Sequence, residues 1–166
     1  LLSIWFKGKG KEQNYLREIL IKREPLMSEP IFQTVFPWEQ AKDTFLDHAQ
    51  KLNILDEKFV EALADENLTG KELNFPANRC PYVHQTKSWD SMLNKHKTIV
   101  VTTGTGSGKT ECFMIPVLQD LYRQRMQNPA DSGVQAIFIY PLNALMKSQQ
   151  QRVNAWCKAL DPNITY

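Results

Sequence analysis

The stretch Thr98 to Glu111, reading TIVVTTGTGSGKTE, constrains this chain more than any other. Ile99, Val100 and Val101 are β-branched and predict a short buried strand. Thr103, Gly104, Thr105, Gly106, Ser107, Gly108, Lys109 and Thr110 follow at once, and helical spacing of apolar residues begins just beyond them. Strand, glycine-rich loop and helix in that order are the setting in which a phosphate-loop pattern carries a mechanism. Glycines let the backbone bend around an anion with its N–H groups pointing inward. The helix start adds the positive end of its dipole. Lys109 then reaches the β- and γ-phosphates of a bound nucleotide, and the Thr110 hydroxyl completes the shell of a magnesium ion. Thr103 stands where the strict G-x-x-x-x-G-K-[ST] pattern has its first glycine. A chance loop of three glycines and a lysine is the bland alternative, and TGSGKT directly after a β-branched strand argues against it.

The rest of the composition sets bounds. A length of 166 residues suits one domain, or one domain with an appendage, and 42% apolar with 23% charged residues is ordinary for a globular chain. The net charge of +2 leaves any basic surface local. No apolar run approaches the length of a membrane span, which predicts no membrane partner and a cytoplasmic setting. Cys80, Cys112 and Cys157 form no C-x-x-C pair, so we expect reduced, buried thiols and no zinc site. The chain opens on Leu1 and ends at Asn163 to Tyr166 as if entering a new strand, so we expect a piece of a longer polypeptide.

A basic, flexible stretch from Lys7 to Lys11 suits a solvated loop or a nucleic-acid phosphate contact. Glu12 to Glu24 predicts a helix stopped by Pro25, and residues up to Pro37 an irregular connection. Trp38, Ala41, Phe45 and Leu52 recur at helical spacing, and Asp56 is placed to cap a helix carrying Phe59, Val60 and Leu63. His48 has no partner motif and reads as a packing histidine. Residues 1–74 thus read as a small helical region, with a boundary near Gly70 and Pro76. Next comes a helix carrying Trp89, Met92 and Leu93, with His84 and Gln85 just ahead of it. A glutamine there either reads an adenine edge, since its amide offers donor and acceptor, or decorates a helix start. Past the loop, Glu111 to Gln127 predicts a helix with Pro116 inside it, which should kink it or remove one backbone bond. Val134 to Tyr140 predicts a second buried strand, parallel to the first and its neighbour. Pro141 to Leu145 leaves that strand's carboxyl end, where ligands sit in open α/β sheets, and Met146 to Leu160 reads as another helix. Lys147 to Arg152 suits either a nucleic-acid backbone or a solvated helix face.

These residues resemble the DEAD/DEAH-box helicases of superfamily 2. His84 and Gln85 are similar to the Q motif. Thr103 to Thr110 resemble motif I in its A-x-T-G-S-G-K-T form, with Thr103 in place of alanine. Pro141 to Gln149 resemble motif Ia, P-T-R-x-L-A-x-x-Q, with Leu142 and Asn143 in place of Thr-Arg. TGTGSGKTECF and YPLNAL look most like the very large bacterial helicases related to Lhr and MrfA, including those of anti-phage defence systems such as Druantia.

The resemblance implies an α/β fold in which residues 75–166 are the first part of a RecA-like lobe with parallel strands. It implies that Gln85 reads adenine, that Thr103 to Thr110 hold ATP with magnesium, and that Pro141, Leu142, Asn143 and Gln149 grip one strand of nucleic acid, DNA in preference to RNA. Other subunits of a defence system are implied partners. Motif II, the D-E-x-x sequence that positions the metal, does not follow; Asp120, Asp131 and Asp161 have no acidic neighbour after an apolar strand. We therefore expect an ATP-hydrolysing parent and an inactive fragment. Two alternatives stand beside this reading: a P-loop ATPase of another class, such as a kinase or transporter subunit, and a non-catalytic lobe that scaffolds partners or holds DNA.

Overall fold

The structure, a computed structural model, describes residues 14, 15, 18, 37–130 and 133–161. Asn14, Tyr15 and Glu18 are helical and exposed, inside the helix expected over Glu12 to Glu24. The rest of that helix, the Lys7 to Lys11 stretch, residues 25–36, Asp131 and the tail from 162 lie outside the described residues. Contacts divide the chain into a unit of residues 1–36 and a unit of residues 37–166. That division falls at 36/37. Phe45, Phe59 and Leu63 share one core with Trp89, Ile115 and Trp156.

Six helices are described in this second unit: α1 (Phe45–Gln50), α2 (Glu57–Ala64), α3 (Glu66–Thr69), α4 (Val83–Leu93), α5 (Lys109–Gln127) and α6 (Asn143–Leu160). The helical run expected from Trp38 to Leu52 is shorter than its spacing suggested. Thr44 fixes its start: the Thr44 hydroxyl accepts the Asp47 N–H at 3.2 Å, and the Asp47 carboxylate accepts the Thr44 N–H at 2.8 Å. That reciprocal cap leaves Trp38 outside the helix. Asp56 sits at the N-cap of α2 as expected, but its side chain does no capping. It reaches α5 instead, accepting from Gln119 Nε2 at 2.9 Å and from Arg123 Nη2 at 3.0 Å, while its own N–H donates to Gln119 Oε1 at 2.8 Å. The amino-terminal helices are thereby fastened to the helix that carries the phosphate loop.

The core is aromatic. Trp89, fully buried on α4, meets Phe45, Phe75 and His48 edge-on at ring separations of 5.8, 6.4 and 5.5 Å. Edge-to-face pairs of this kind add about 0.5–1.5 kcal/mol to the gain from burial alone. His48 is buried, with its Nδ1 2.7 Å from the Thr44 carbonyl, which suits the packing role expected of it. Trp156 of α6 is buried too, and its indole N–H donates to the Leu73 carbonyl at 2.7 Å.

The residues expected as strands, 99–101 and 134–140, carry no ladder. Among the described residues no strand forms, and an isolated antiparallel bridge joins Gln40 to Tyr82. The expected parallel pairing is not shown among the described residues. A cavity of about 450 Å³ is lined by Ile99 and Val101 of the first stretch and by Tyr140 of the second. Without a ladder the alternating side chains have one face to bury and one left over: Val100 is 87% exposed and Ile139 89%, while Ile99, Phe138 and Tyr140 are half-buried. Among the described residues no helix is long and apolar enough to cross a membrane.

Candidate nucleotide-binding site

One face of α4 builds the phosphate loop. His84, Gln85, Ser88 and Trp89 fall at helical spacings of one, four and five residues, so their side chains leave the helix on the same side. Each meets a main-chain carbonyl at the loop or the start of α5. His84 Nε2 lies 2.7 Å from the Ser107 carbonyl, and Gln85 Nε2 donates to Gly108 at 3.0 Å. Trp89 Nε1 donates to Glu111 at 2.9 Å, and Ser88 Oγ to Cys112 at 2.7 Å. The last bond has a specific cause. Pro116 has no N–H, so the Cys112 carbonyl four residues before it loses its helical donor. Ser88 supplies the replacement.

Gln85, expected at an adenine edge, is fully buried with both ends of its amide engaged. Its Oε1 accepts the Tyr82 N–H at 2.8 Å while Nε2 holds Gly108. The geometry displays the helix-start role that the sequence also allowed, with a second function of tying that start to the loop.

The loop closes on itself. Thr103 Oγ1 lies 2.6 Å from Ser107 Oγ, which gives the threonine at the first-glycine position a local purpose. Gly106 and Gly108 take left-handed φ values of 74° and 72°. A Cβ on Gly108 would collide with the Gln85 amide nitrogen, whereas one on Gly106 would meet nothing within 4 Å. On Gly104 it would stand 3.2 Å from the Trp38 ring. Trp38 in turn meets His84 edge-on at 5.8 Å, and Tyr82 stacks on His84 at 5.5 Å. No motif in the sequence pointed to Trp38, because it reaches the loop from more than sixty residues away.

Lys109 folds back over this loop, its Nζ donating to the Thr103 carbonyl at 2.7 Å and the Gly104 carbonyl at 2.5 Å. A cation held at the mouth, two left-handed glycines and open space beside Gly106 fit a phosphate group. Thr110, expected at a magnesium ion, lines the adjoining cavity with Lys109. Among the described residues no cluster of three or more His, Cys, Asp or Glu stands ready to hold a metal by itself. A magnesium ion here would rest on Thr110 and the nucleotide's own oxygens. Cys112 beneath the loop is chemically quiet: burial, with the neighbouring Glu111 charge, pushes its thiol up to about 11.

The residues expected to grip nucleic acid lie at the other end. Pro141, Leu142 and Asn143 are exposed, with α6 beginning at Asn143, three residues earlier than its spacing suggested. Gln149 is half-buried and lines the cavity with Lys109 and Thr110; its Oε1 is buried with no hydrogen-bond partner among the described residues. The structure thus joins Gln149 to the phosphate-loop residues and leaves Pro141 to Asn143 facing solvent.

Residues 82–166, just over half of the chain, match the DEAD/DEAH box helicase family. The chain belongs to the DEAD/DEAH box helicases. Membership brings a RecA-like P-loop lobe and sets aside the kinase and transporter alternatives. The chain is similar to the Druantia protein DruE of Escherichia coli (strain UMEA 4076-1), 37% identical over 86 residues, or 49% of this chain and 5% of that protein. It is also similar to the uncharacterized ATP-dependent helicase MJ1574 of Methanocaldococcus jannaschii, 37% identical over 71 residues, 43% of this chain and 9% of that one. To the ATP-dependent RNA helicase DBP9 of Coccidioides immitis it is 26% identical over 99 residues, 60% of this chain and 14% of the relative. The chain therefore spans between 5% and 14% of the length of these helicases. No solved structure matches it.

Proposed function

We propose that this DEAD/DEAH box helicase chain carries the ATP-binding front of a motor that moves on nucleic acid, DNA in preference to RNA. Residues 75–166 are the first part of its RecA-like lobe, with 99–101 and 134–140 as strands of that lobe's parallel sheet. The observation that carries the reading is the α4-held loop, with Lys109 folded over the Thr103 and Gly104 carbonyls. Thr103 to Thr110 cradle the triphosphate, Lys109 stabilises charge on the transferred phosphoryl, and Thr110 joins the magnesium shell. Gln85 reads adenine by exchanging its Gly108 bond for the base edge, while Tyr82 keeps the amide oriented. Pro141, Leu142, Asn143 and Gln149 hold the backbone of one strand. The likeness to the Druantia protein DruE supports a place beside other subunits of a cytoplasmic defence system. No D-E-x-x sequence follows the loop in these residues, so turnover draws on groups outside them.

ATP hydrolysis by the intact protein, with and without single-stranded DNA, tests this reading. Stimulation by DNA that disappears in Lys109→Ala is the expected result, a loss of at least about a hundredfold. Stimulation by RNA alone would move the substrate to RNA, and no hydrolysis under any condition would leave a binding scaffold.

A further inference from the structure

Glu111 sits oddly for a residue of an anion site. It follows Lys109 and Thr110 in the first turn of α5, and its carboxylate is 12% exposed. One oxygen accepts Arg152 Nη1 of α6 at 2.6 Å. The other, Oε2, is buried with no hydrogen-bond partner among the described residues. That oxygen is packed under the loop: a Cβ on Gly108 would stand 3.1 Å from it. A negative charge there lies beneath the loop proposed above to hold a triphosphate, and a buried carboxylate with one oxygen unmet leans on its cationic partner. Arg152 is well placed to serve. Its guanidinium lies over the Trp156 ring at 5.8 Å, and Trp156 is anchored to the Leu73 carbonyl. Arg152 is also three residues past Gln149, on the same helix whose first turn is exposed at Asn143.

We propose that the Glu111–Arg152 ion pair is the link through which α6 sets the phosphate loop, with Arg152 acting as a positioning residue on Glu111. When α6 is seated, Arg152 neutralises the carboxylate and the loop accepts the triphosphate. When α6 is displaced, the uncompensated charge opposes it. Linkage is reciprocal, so a nucleotide that needs Arg152 in place holds α6 in place for the strand at its amino-terminal end. This extension to nucleic acid rests on the function proposed above; the charge compensation at the loop does not.

The experiment uses the intact protein, a fluorescent ATP analogue and single-stranded DNA. Arg152→Gln should weaken the analogue about tenfold, within the usual span of coupling effects. Adding Glu111→Gln should restore the affinity, because the charge that Arg152 offsets has gone. Arg152→Lys should retain most of it. In the wild type a non-hydrolysable ATP analogue should tighten DNA, and that ratio should collapse towards one in Arg152→Gln and in the double variant. A double variant as weak as Arg152→Gln alone would overturn the link. So would a wild-type ratio of one, or an unchanged ratio in Arg152→Gln. Equal loss of DNA affinity with and without nucleotide would also overturn it, making Arg152 an ordinary strand contact. Failure of the helicase reading is separate: it would show as wild-type protein that binds the analogue and hydrolyses nothing.

Discussion

The phosphate loop and the amino-terminal end of α6 are built on opposite plans. At the loop, an adjoining helix face meets the Ser107, Gly108, Glu111 and Cys112 carbonyls, and Gln85, Ser88 and Trp89 beneath them are buried. At the α6 end, Pro141 to Ser148 are exposed, Leu142 among them at 62%. One site is shaped by the chain before any ligand arrives; the other presents a surface. Preorganised donors are what charge stabilisation requires, whereas a strand gripped through its backbone needs reach.

The comparison can be broken most severely at Trp89. Trp89→Ala removes a fully buried indole from the aromatic core and from the Glu111 carbonyl, and should cost about 3–5 kcal/mol of stability in urea unfolding. A loss below about 1 kcal/mol would show that α4 does not hold the loop. Glycine substitutions sharpen the picture next. Gly106→Ala should cost only the left-handed strain of about 1–2 kcal/mol. Gly108→Ala adds a collision with the Gln85 amide, so it should cost more and weaken nucleotide binding; equal effects would mean the α4 contact is not shaping the loop.

Ser88→Ala should cost about 1–3 kcal/mol, because it strands the Cys112 carbonyl. On a Pro116→Ala background the cost should shrink, since residue 116 then supplies its own N–H. Additive losses in that double-mutant cycle would refute the proline explanation. At the open end, Leu142→Ala should change stability by no more than about 0.5 kcal/mol. A larger loss would mean that this residue is part of a core.

The smallest effect is one of pH. The Lys51 ammonium, and then the Thr44 N–H and hydroxyl, hold the Asp47 carboxyl down at about 2, from an ordinary 3.8. A depressed carboxylate stabilises the fold fully above its unfolded value and loses that contribution as pH falls through the folded one. The wild type should therefore lose this part of its stability between about pH 4 and pH 2. Asp47→Asn should lack it, and identical acid profiles would sink the assignment.

Local physics made much of this legible. The glycine-rich loop, the helix after it and the Asp56 helix start could be read from spacing and residue type, as could the buried fate of Cys112 and Cys157, whereas Cys80, expected to share it, is only half-buried. Helical periodicity misled in one place, for a physical reason. Helical spacing from Trp38 to Leu52 yielded only Phe45–Gln50, because the Thr44–Asp47 cap outweighed periodicity. The pairing of the apolar runs at 99–101 and 134–140 is not shown among the described residues, because a strand is defined by its partner and an apolar run does not name one.

The sequence by itself determined where a glycine-rich loop would turn and which helix would follow it, since backbone freedom at glycine and the lysine that follows are properties of neighbouring residues. Only the tertiary structure decided what shapes that site. Gln85 turned to Gly108, Ser88 met the carbonyl that Pro116 left open, Trp38 closed on Gly104, and Arg152 found Glu111. Each joins groups more than twenty residues apart. Their pairing follows from how the helices pack, and no local pattern encodes it.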